Sequence, residues 1–388
     1  MSVTAAQGFL AAGVKAGIKS SGNHDVALVV NQGPLFTAAG VFTSNRFKAA
    51  PVLWSQQVLL DQELRAVVLN SGGANACTGP DGFADTHHTA EHAARALGAL
   101  GAEVGAGEIA VCSTGLIGER LPMDRIIAGI DAATAALADD GGDDAALAIM
   151  TTDSVPKKSE ATHGGFTVGG MAKGAGMLAP ALATMLVVIT TDAVVDAEVA
   201  EAALRTATSL SFDRIDSDGC MSTNDTVLLL ASGASGEQPD AETFTQVLTQ
   251  VCSDLAQQLI HDAEGASKDI RITVEQAAST DDALEIARAI SRSNLLKCAI
   301  HGEDPNWGRV LAAAGTTSAA FEPDRVDVAM NGIWICRNGG LGEDRSLVSL
   351  AGREVEIKVL LRAGASEATI WTNDLTADYV HENSAYST

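Results

Sequence analysis

Three short stretches carry residues whose types and spacing could do chemistry. In AKGAGMLAPALATMLVVITTD, residues 172–192, two glycines (Gly174, Gly176) and Pro180 lead the chain to Thr184, where an apolar run of strand character begins. Glycine admits left-handed and closely approached backbone, and proline fixes φ and bars a continuous helix, so the turn looks built to present the Thr184 hydroxyl. On local physics alone the plainer reading comes first: a loop entering a buried strand, with Thr184 as a β-favouring edge residue. In EIAVCSTGLIGERLPM (108–123), a strand runs into Ser113-Thr114-Gly115. A hydroxyl beside a glycine N–H at a strand's end can donate two hydrogen bonds to an oxyanion; the same residues also make ordinary caps and turns. In AVVLNSGGANACTG (66–79), small polar residues after a strand form a nest of backbone donors that could hold an anion or another loop. Its glycine spacing fits no dinucleotide or phosphate-loop fingerprint.

The composition bounds the partners. The chain has 388 residues, with 25 basic against 49 acidic residues and a formal net charge of −24. A chain this acidic is repelled by phosphate backbones and anionic lipid, so nucleic acid and membrane surfaces are excluded in favour of a small charged metabolite. Its six cysteines (Cys77, Cys112, Cys220, Cys252, Cys298, Cys336) form no C-x-x-C pair, which argues against a zinc ribbon or a disulfide scaffold and predicts reduced, mostly buried thiols. His88 and His92 share a helix face, yet no convincing metal-ligand partner accompanies them or His87, so no metal is expected. No signal-peptide pattern and no apolar window of about 18 residues is present, and the expected location is the cytoplasm.

The elements that must position these residues read as alternating strands and helices. Strands are expected at 25–31, 39–43, from 66, from 108, through FTVGGMAKG (166–174) and at 184–191, the last apolar on both faces and therefore central in its sheet. Helices are expected from about 81, from about 122 to 137, at 196–209 and at 241–259, with later strands at 226–231, 326–330, 354–361 and 368–373. HGEDPNWGRV (301–310) reads as a loop and the closing NSAYST (383–388), taken alone, as a frayed tail. Arg46 and Lys48 read as a solvated loop, and Lys173 and Glu264 taken singly as surface charges. The fold class is α/β, with layered sheets covered by helices.

Taken together, GVFTSNRFKAAPV, NSGGANACTG, STGLIG, MTTD, AKGAGMLAP-(x)3-TML, STNDTVLLLA, DAEGASK, DPNWGRV and NSAYST occur in an order that resembles one family over essentially the whole chain. It is the ornithine acetyltransferase or glutamate N-acetyltransferase (ArgJ) family of the cyclic arginine pathway. The resemblance implies a self-processing, N-terminal-nucleophile-like fold of the DmpA/ArgJ kind. It implies a precursor cut between Ala183 and Thr184 into an α chain, 1–183, and a β chain, 184–388, that begins with the nucleophile. It further implies ping-pong transfer of the acetyl group from N2-acetyl-L-ornithine, which leaves as L-ornithine, to L-glutamate, giving N-acetyl-L-glutamate.

Carried over position by position, the resemblance makes Thr184 catalytic, with Thr114 and Gly115 as the oxyanion hole. Its substrate residues would be Thr151 or Thr152, Lys173, Thr184, Glu264, Asn383 and Thr388, with Lys173 facing a carboxylate and Glu264 an ammonium. No cofactor is implied. Use of acetyl-CoA as a second acetyl donor stays open, and the implied assembly is α2β2. NSGGANA and DSDGCM depart slightly from the family's usual loops and put only secondary contacts in doubt. Two rivals stand beside this reading: an N-terminal-nucleophile amidohydrolase or aminopeptidase that passes the acyl group to water, and a binding protein with no chemistry at Thr184.

Overall fold

The computed structural model describes residues 2–178 and 185–385. Among these the strands are β1 (Phe9–Val14), β2 (Val26–Asn31), β3 (Thr37–Phe42), β4 (Ala66–Ser71), β5 (Ile109–Thr114), β6 (Lys157–His163), β7 (Phe166–Lys173), β8 (Leu186–Thr191), β9 (Thr226–Ala231), β10 (Asp269–Ala277), β11 (Asp327–Met330), β12 (Ile333–Arg337), β13 (Gly340–Leu341), β14 (Glu354–Leu360) and β15 (Ser366–Asn373). The helices are α1 (Ala50–Val58), α2 (Gly79–Ala99), α3 (Met123–Ala135), α4 (Gly142–Ile149), α5 (Ala197–Leu210), α6 (Ala241–His261), α7 (Thr280–Ser291), α8 (Asn294–His301), α9 (Trp307–Ala314) and α10 (Ala377–Ala385).

Three sheets result, in the orders β1-β2-β4-β5, β3-β9-β8-β7-β6 and β13-β12-β11-β14-β10-β15. The central strands β2, β4, β8 and β9 are buried at every position, as runs such as LVVITT and TVLLLA require when both faces are covered. Along β8 the two faces serve different cores. Leu186 and Val188 join the apolar cluster under the first sheet and α3, while Val187 and Ile189 join the cluster with α5 and α6. The third sheet packs its own core against α7 and α9.

Register brings three strand ends to one place. Lys173, the last residue of β7, pairs with Leu186, the first of β8, and Leu186 pairs with Thr226, the first of β9. The residues before β9 then tie the sheets together. The buried Asn224 side chain donates to the carbonyls of Ala74 (2.6 Å) and Ser113 (2.8 Å), and Asp225 Oδ1 accepts the Met185 amide at 3.0 Å.

Most expected elements lie within two residues of their observed bounds, and four expectations need correction. The NWGRV part of the expected loop begins α9, because the Asn306 side chain caps the amide of Arg309. The expected tail belongs to α10 as far as Ala385. Only Cys112, Cys252 and Cys336 are buried; Cys77, Cys220 and Cys298 are exposed. Lys173 is not a surface charge, being 1% exposed. Among the described residues no helix is long and apolar enough to cross a membrane, and no group of three or more His, Cys, Asp or Glu could hold a metal ion. His92 instead meets Asp131 at 2.7 Å.

Replacing Asn224 with alanine leaves two buried carbonyls without a donor, at about 1–3 kcal/mol for each. Urea unfolding of Asn224→Ala should show a midpoint shift equal to at least 2 kcal/mol or so with an unchanged slope; a shift within about 0.5 kcal/mol would contradict the bridging role.

Candidate active site

Strand β5 delivers Thr114 to its carboxyl end, where the residue is buried. Gly115 follows with φ of +129°, and a Cβ there would stand 2.6 Å from the backbone of Gly72 and Gly73, so only glycine fits. The nest read in NSGGANA is committed to a loop: the amides of Gly72 and Gly73 both donate to the Thr114 carbonyl, at 2.9 and 3.0 Å. Ser113 Oγ donates to Asn70 Oδ1 at 2.6 Å and fixes the loop from the other side. The Gly115 N–H meets no acceptor among the described residues.

Lys173 ends β7 with its ammonium turned inward, donating to Thr114 Oγ1 at 3.3 Å and lying 4.0 Å from Asp153 Oδ2. Since Thr114 Oγ1 accepts from Lys173, its own hydrogen remains to donate elsewhere. Asp153 is the hub. Its Oδ1 accepts from Lys157 Nζ and from the Gly174 amide, both at 2.6 Å, and its Oδ2 accepts the Thr151 amide at 2.9 Å. Lys157 reaches Asp262 on its other side, again at 2.6 Å. Burial would raise the Asp153 carboxyl, but the Lys173 and Lys157 ammoniums outweigh it and hold the carboxyl at about 2. Burial pulls Lys173 below the ordinary lysine range, with Asp153 opposing.

The opposite wall comes from the end of α6 and from α10. The Glu264 amide donates to Ala175 O at 3.0 Å, and a Cβ at Gly176 would strike the Glu264 carboxylate at 2.7–2.8 Å. Gly265, at φ +60°, lets Tyr379 of α10 pack on this turn. Asn383 Nδ2 then donates to Glu264 Oε2 at 3.0 Å. A cleft of about 140 Å³ opens between the walls, lined by Thr114, Gly115, Thr151, Thr152, Lys173 and Glu264, with Gly176, Met177, Asp218, Cys220, Tyr379 and Asn383 completing it.

The structure thus brings seven expected site residues together: Thr114, Gly115, Thr151, Thr152, Lys173, Glu264 and Asn383. Ala183, Thr184 and Thr388 lie outside the described residues. Four residues were not singled out from sequence: Asp153, Asp218, Asp225 and Tyr379. Asp225 is fully buried, with Oδ2 unpartnered among the described residues, and burial raises it well above the usual carboxylate range. The sequence signal for Asp225 is its place directly before the strand TVLLLA. A larger hollow of about 740 Å³, between α6 and strands β10, β14 and β15, contains none of the expected residues. Chemistry, not size, assigns the site to the smaller cleft, where a buried cation, a hydroxyl, a glycine amide and carboxylates converge.

Comparison with known proteins follows the same direction. A family model described as the ArgJ family matches residues 10–388. An arginine biosynthesis bifunctional protein ArgJ of Streptomyces coelicolor is 67% identical over 387 residues, covering 100% of both chains. Its counterpart in Thermobifida fusca is 63% identical over 388 residues, again with 100% of each chain covered. Among solved structures, an ornithine acetyltransferase complexed with ornithine from Mycobacterium tuberculosis is 62% identical over 48% of this chain and 96% of that one, with a TM-score of 0.46.

The charge hub makes stability depend on acid pH. Because the folded-state carboxyl of Asp153 sits near 2, below the ordinary value of 3.8, its contribution is present above about pH 4 and is lost as pH falls toward 2. Asp153→Ala leaves Lys157 and Lys173 short of a buried counter-ion and should cost on the order of 3–5 kcal/mol, with a flatter stability profile between pH 2 and 5. Urea unfolding at several pH values checks both; parallel wild-type and variant profiles would contradict the assignment.

Proposed function

The chain belongs to the ArgJ family, and from that premise we propose that it is a self-cleaving acetyltransferase that moves the acetyl group of N2-acetyl-L-ornithine to L-glutamate. The observation that carries this reading is the convergence of Thr114, Gly115, Lys173 and Glu264 on one cleft beside the start of β8. In maturation, Thr184 Oγ attacks the Ala183 carbonyl, the Ala183–Thr184 C–N bond breaks, and an ester forms as the α-amine of Thr184 is released. Water then hydrolyses the ester. The products are an α chain, 1–183, and a β chain, 184–388, whose first residue carries nucleophile and base together. An α-amine has an ordinary pKa of about 7.7–8.0, suited to general-base work near neutrality.

In turnover, Thr184 Oγ attacks the acetyl carbonyl and gives its proton to the α-amine. The oxyanion takes hydrogen bonds from the Thr114 hydroxyl and the Gly115 N–H, the ammonium of Lys173 polarising the former. The proton passes to the departing nitrogen, and ornithine leaves. The α-amine of glutamate attacks the acetyl-threonine ester, and N-acetyl-L-glutamate leaves with Thr184 restored. Thr151 or Thr152, with Asn383 and Thr388, completes the substrate contacts, and Glu264 faces an ammonium. The cycle as written asks for no cofactor. We extend the reading to acetyl-CoA as a second donor and to an α2β2 assembly in the cytoplasm.

Denaturing mass spectrometry tests the processing step. Wild type should give two fragments, one beginning at Thr184, and Thr184→Ala a single uncut chain; an uncut wild type would sink the mechanism. For turnover, Thr114→Ala should lower kcat by roughly 10²–10³ with a much smaller change in KM, since the lost bond is made to the transition state. Release of acetate without transfer to glutamate would favour the amidohydrolase reading instead.

A further inference from the structure

Resting on the proposed acetyl transfer, one question follows: how a single cleft holds two amino acids whose side chains carry opposite charge. The cleft is electrically divided. Its cation, Lys173, sits at the Thr114 end, hydrogen-bonded to that hydroxyl. Among the described residues two carboxylates, Asp218 and Glu264, line the cleft, with Tyr379 and Asn383 beside them. Glu264 is engaged by Asn383, whereas Asp218 is placed by its own backbone setting: Oδ2 accepts the amide of Met177 at 2.6 Å and Oδ1 that of Cys220 at 3.2 Å. Met177 has φ of +53°, so the Asp218 bond fixes an unfavoured turn in the segment that leads from Lys173 toward Thr184. Asp218 therefore touches the cleft and steers its approach loop at once.

We propose that Asp218 is a specificity-determining residue which, with Glu264, forms the end of the cleft that takes the donor's side-chain ammonium and sets the preference for a cationic over an anionic side chain. Among the described residues the groups facing Asp218 are Lys297 of α8, Asp216 and the Cys220 thiol of its own loop and Tyr379 of α10, with Glu264 across Tyr379. Burial raises the Asp218 carboxyl to about 6, against the amides of Cys220 and Met177 and the Lys297 ammonium. Above pH 6 Asp218 adds its negative charge to the wall and holds an ammonium. Below it Asp218 is neutral, the wall loses that charge, and an anionic side chain is repelled less. The substrates do not share this titration, since side-chain ammoniums ionise near 10.4 and a glutamate γ-carboxyl near 4.3. Among the described residues no histidine lines the cleft to confuse it.

The test compares wild type with Asp218→Asn, which keeps one oxygen to accept the Met177 amide and removes the charge. Steady-state KM values for N2-acetyl-L-ornithine and L-glutamate are measured from pH 5 to 8, alongside calorimetric binding of L-ornithine to the full protein. In wild type, ornithine binding should strengthen as pH rises through about 6. In Asp218→Asn that dependence should vanish, with the donor's KM raised roughly ten- to a hundredfold at pH 7.5, the scale of one charge-assisted bond, and the KM for glutamate unchanged or lowered. A rise of both KM values by the same factor would make Asp218 a merely structural support of the Met177 turn and overturn the proposal. Should the variant fold poorly, the wild-type titration decides alone: ornithine binding that is flat between pH 5 and 7 also overturns it. Acetyl transfer by the wild type in the same preparation tests the proposed function separately.

Discussion

The candidate site depends on one buried carboxylate. Asp153 faces two ammoniums that the fold has removed from water, Lys157 and Lys173, and it also accepts the amides of Thr151 and Gly174. Desolvating any one of these charges alone would cost several kcal/mol, more than a typical side chain returns by packing. The cluster is tolerable only because each charge has a counter-charge or an amide within reach. That constraint has a geometric result. Lys173 cannot swing to solvent, so its ammonium is held beside Thr114, and the loop carrying Thr151 and Thr152 is pinned to the same carboxylate. Electrostatic necessity thus does the positioning that a catalytic cleft requires.

Topology completes what charge begins. Antiparallel β7 and β8 place Lys173 opposite Leu186, and parallel β8 and β9 place Leu186 opposite Thr226. The end of β7 and the start of β8 therefore lie side by side. Asn224 and Asp225, the two residues before β9, then fix that arrangement to β5 and the loop after β4 through Ser113 and Ala74 and to the residue before β8 through Met185. Three strand ends, and the turns leaving them, meet without any long-range side chain having to span a gap.

Much of this was legible in the sequence because the relevant signals are local. Apolar runs such as MLVVITT and TVLLLA announce strands covered on both faces, and a hydroxyl followed by glycine at a strand's end announces the Thr114–Gly115 turn. What stayed hidden depends on contacts distant along the chain. Nothing in MTTD says that its aspartate meets a lysine four residues on and another twenty on. Lys173 reads as a surface charge until β7 is known to end inside the protein. The polar DSDGCM loop gives no sign that Asp218 turns into the cleft. The start of α9 is a different case, since Asn306 ahead of Trp307 carried a usable capping signal.

The C-terminal helix follows the same logic at lower strength. Among its described residues α10 buries none, so apolar packing cannot be what seats it. It is held by polar contacts at defined points: Thr376 Oγ1 donates to Gly265 O at 2.6 Å and accepts the Tyr379 amide, and Asn383 meets Glu264. Gly265 is decisive, because a Cβ there would lie 2.2 Å from the Tyr379 nitrogen. A helix docked by a few hydrogen bonds at about 1 kcal/mol each is the least stable wall of the cleft, while the opposite wall, built on Asp153, is among the most tightly held. The candidate site therefore joins a tightly held half, carrying Thr114 and Lys173, to a softer half, carrying Glu264 and Asn383.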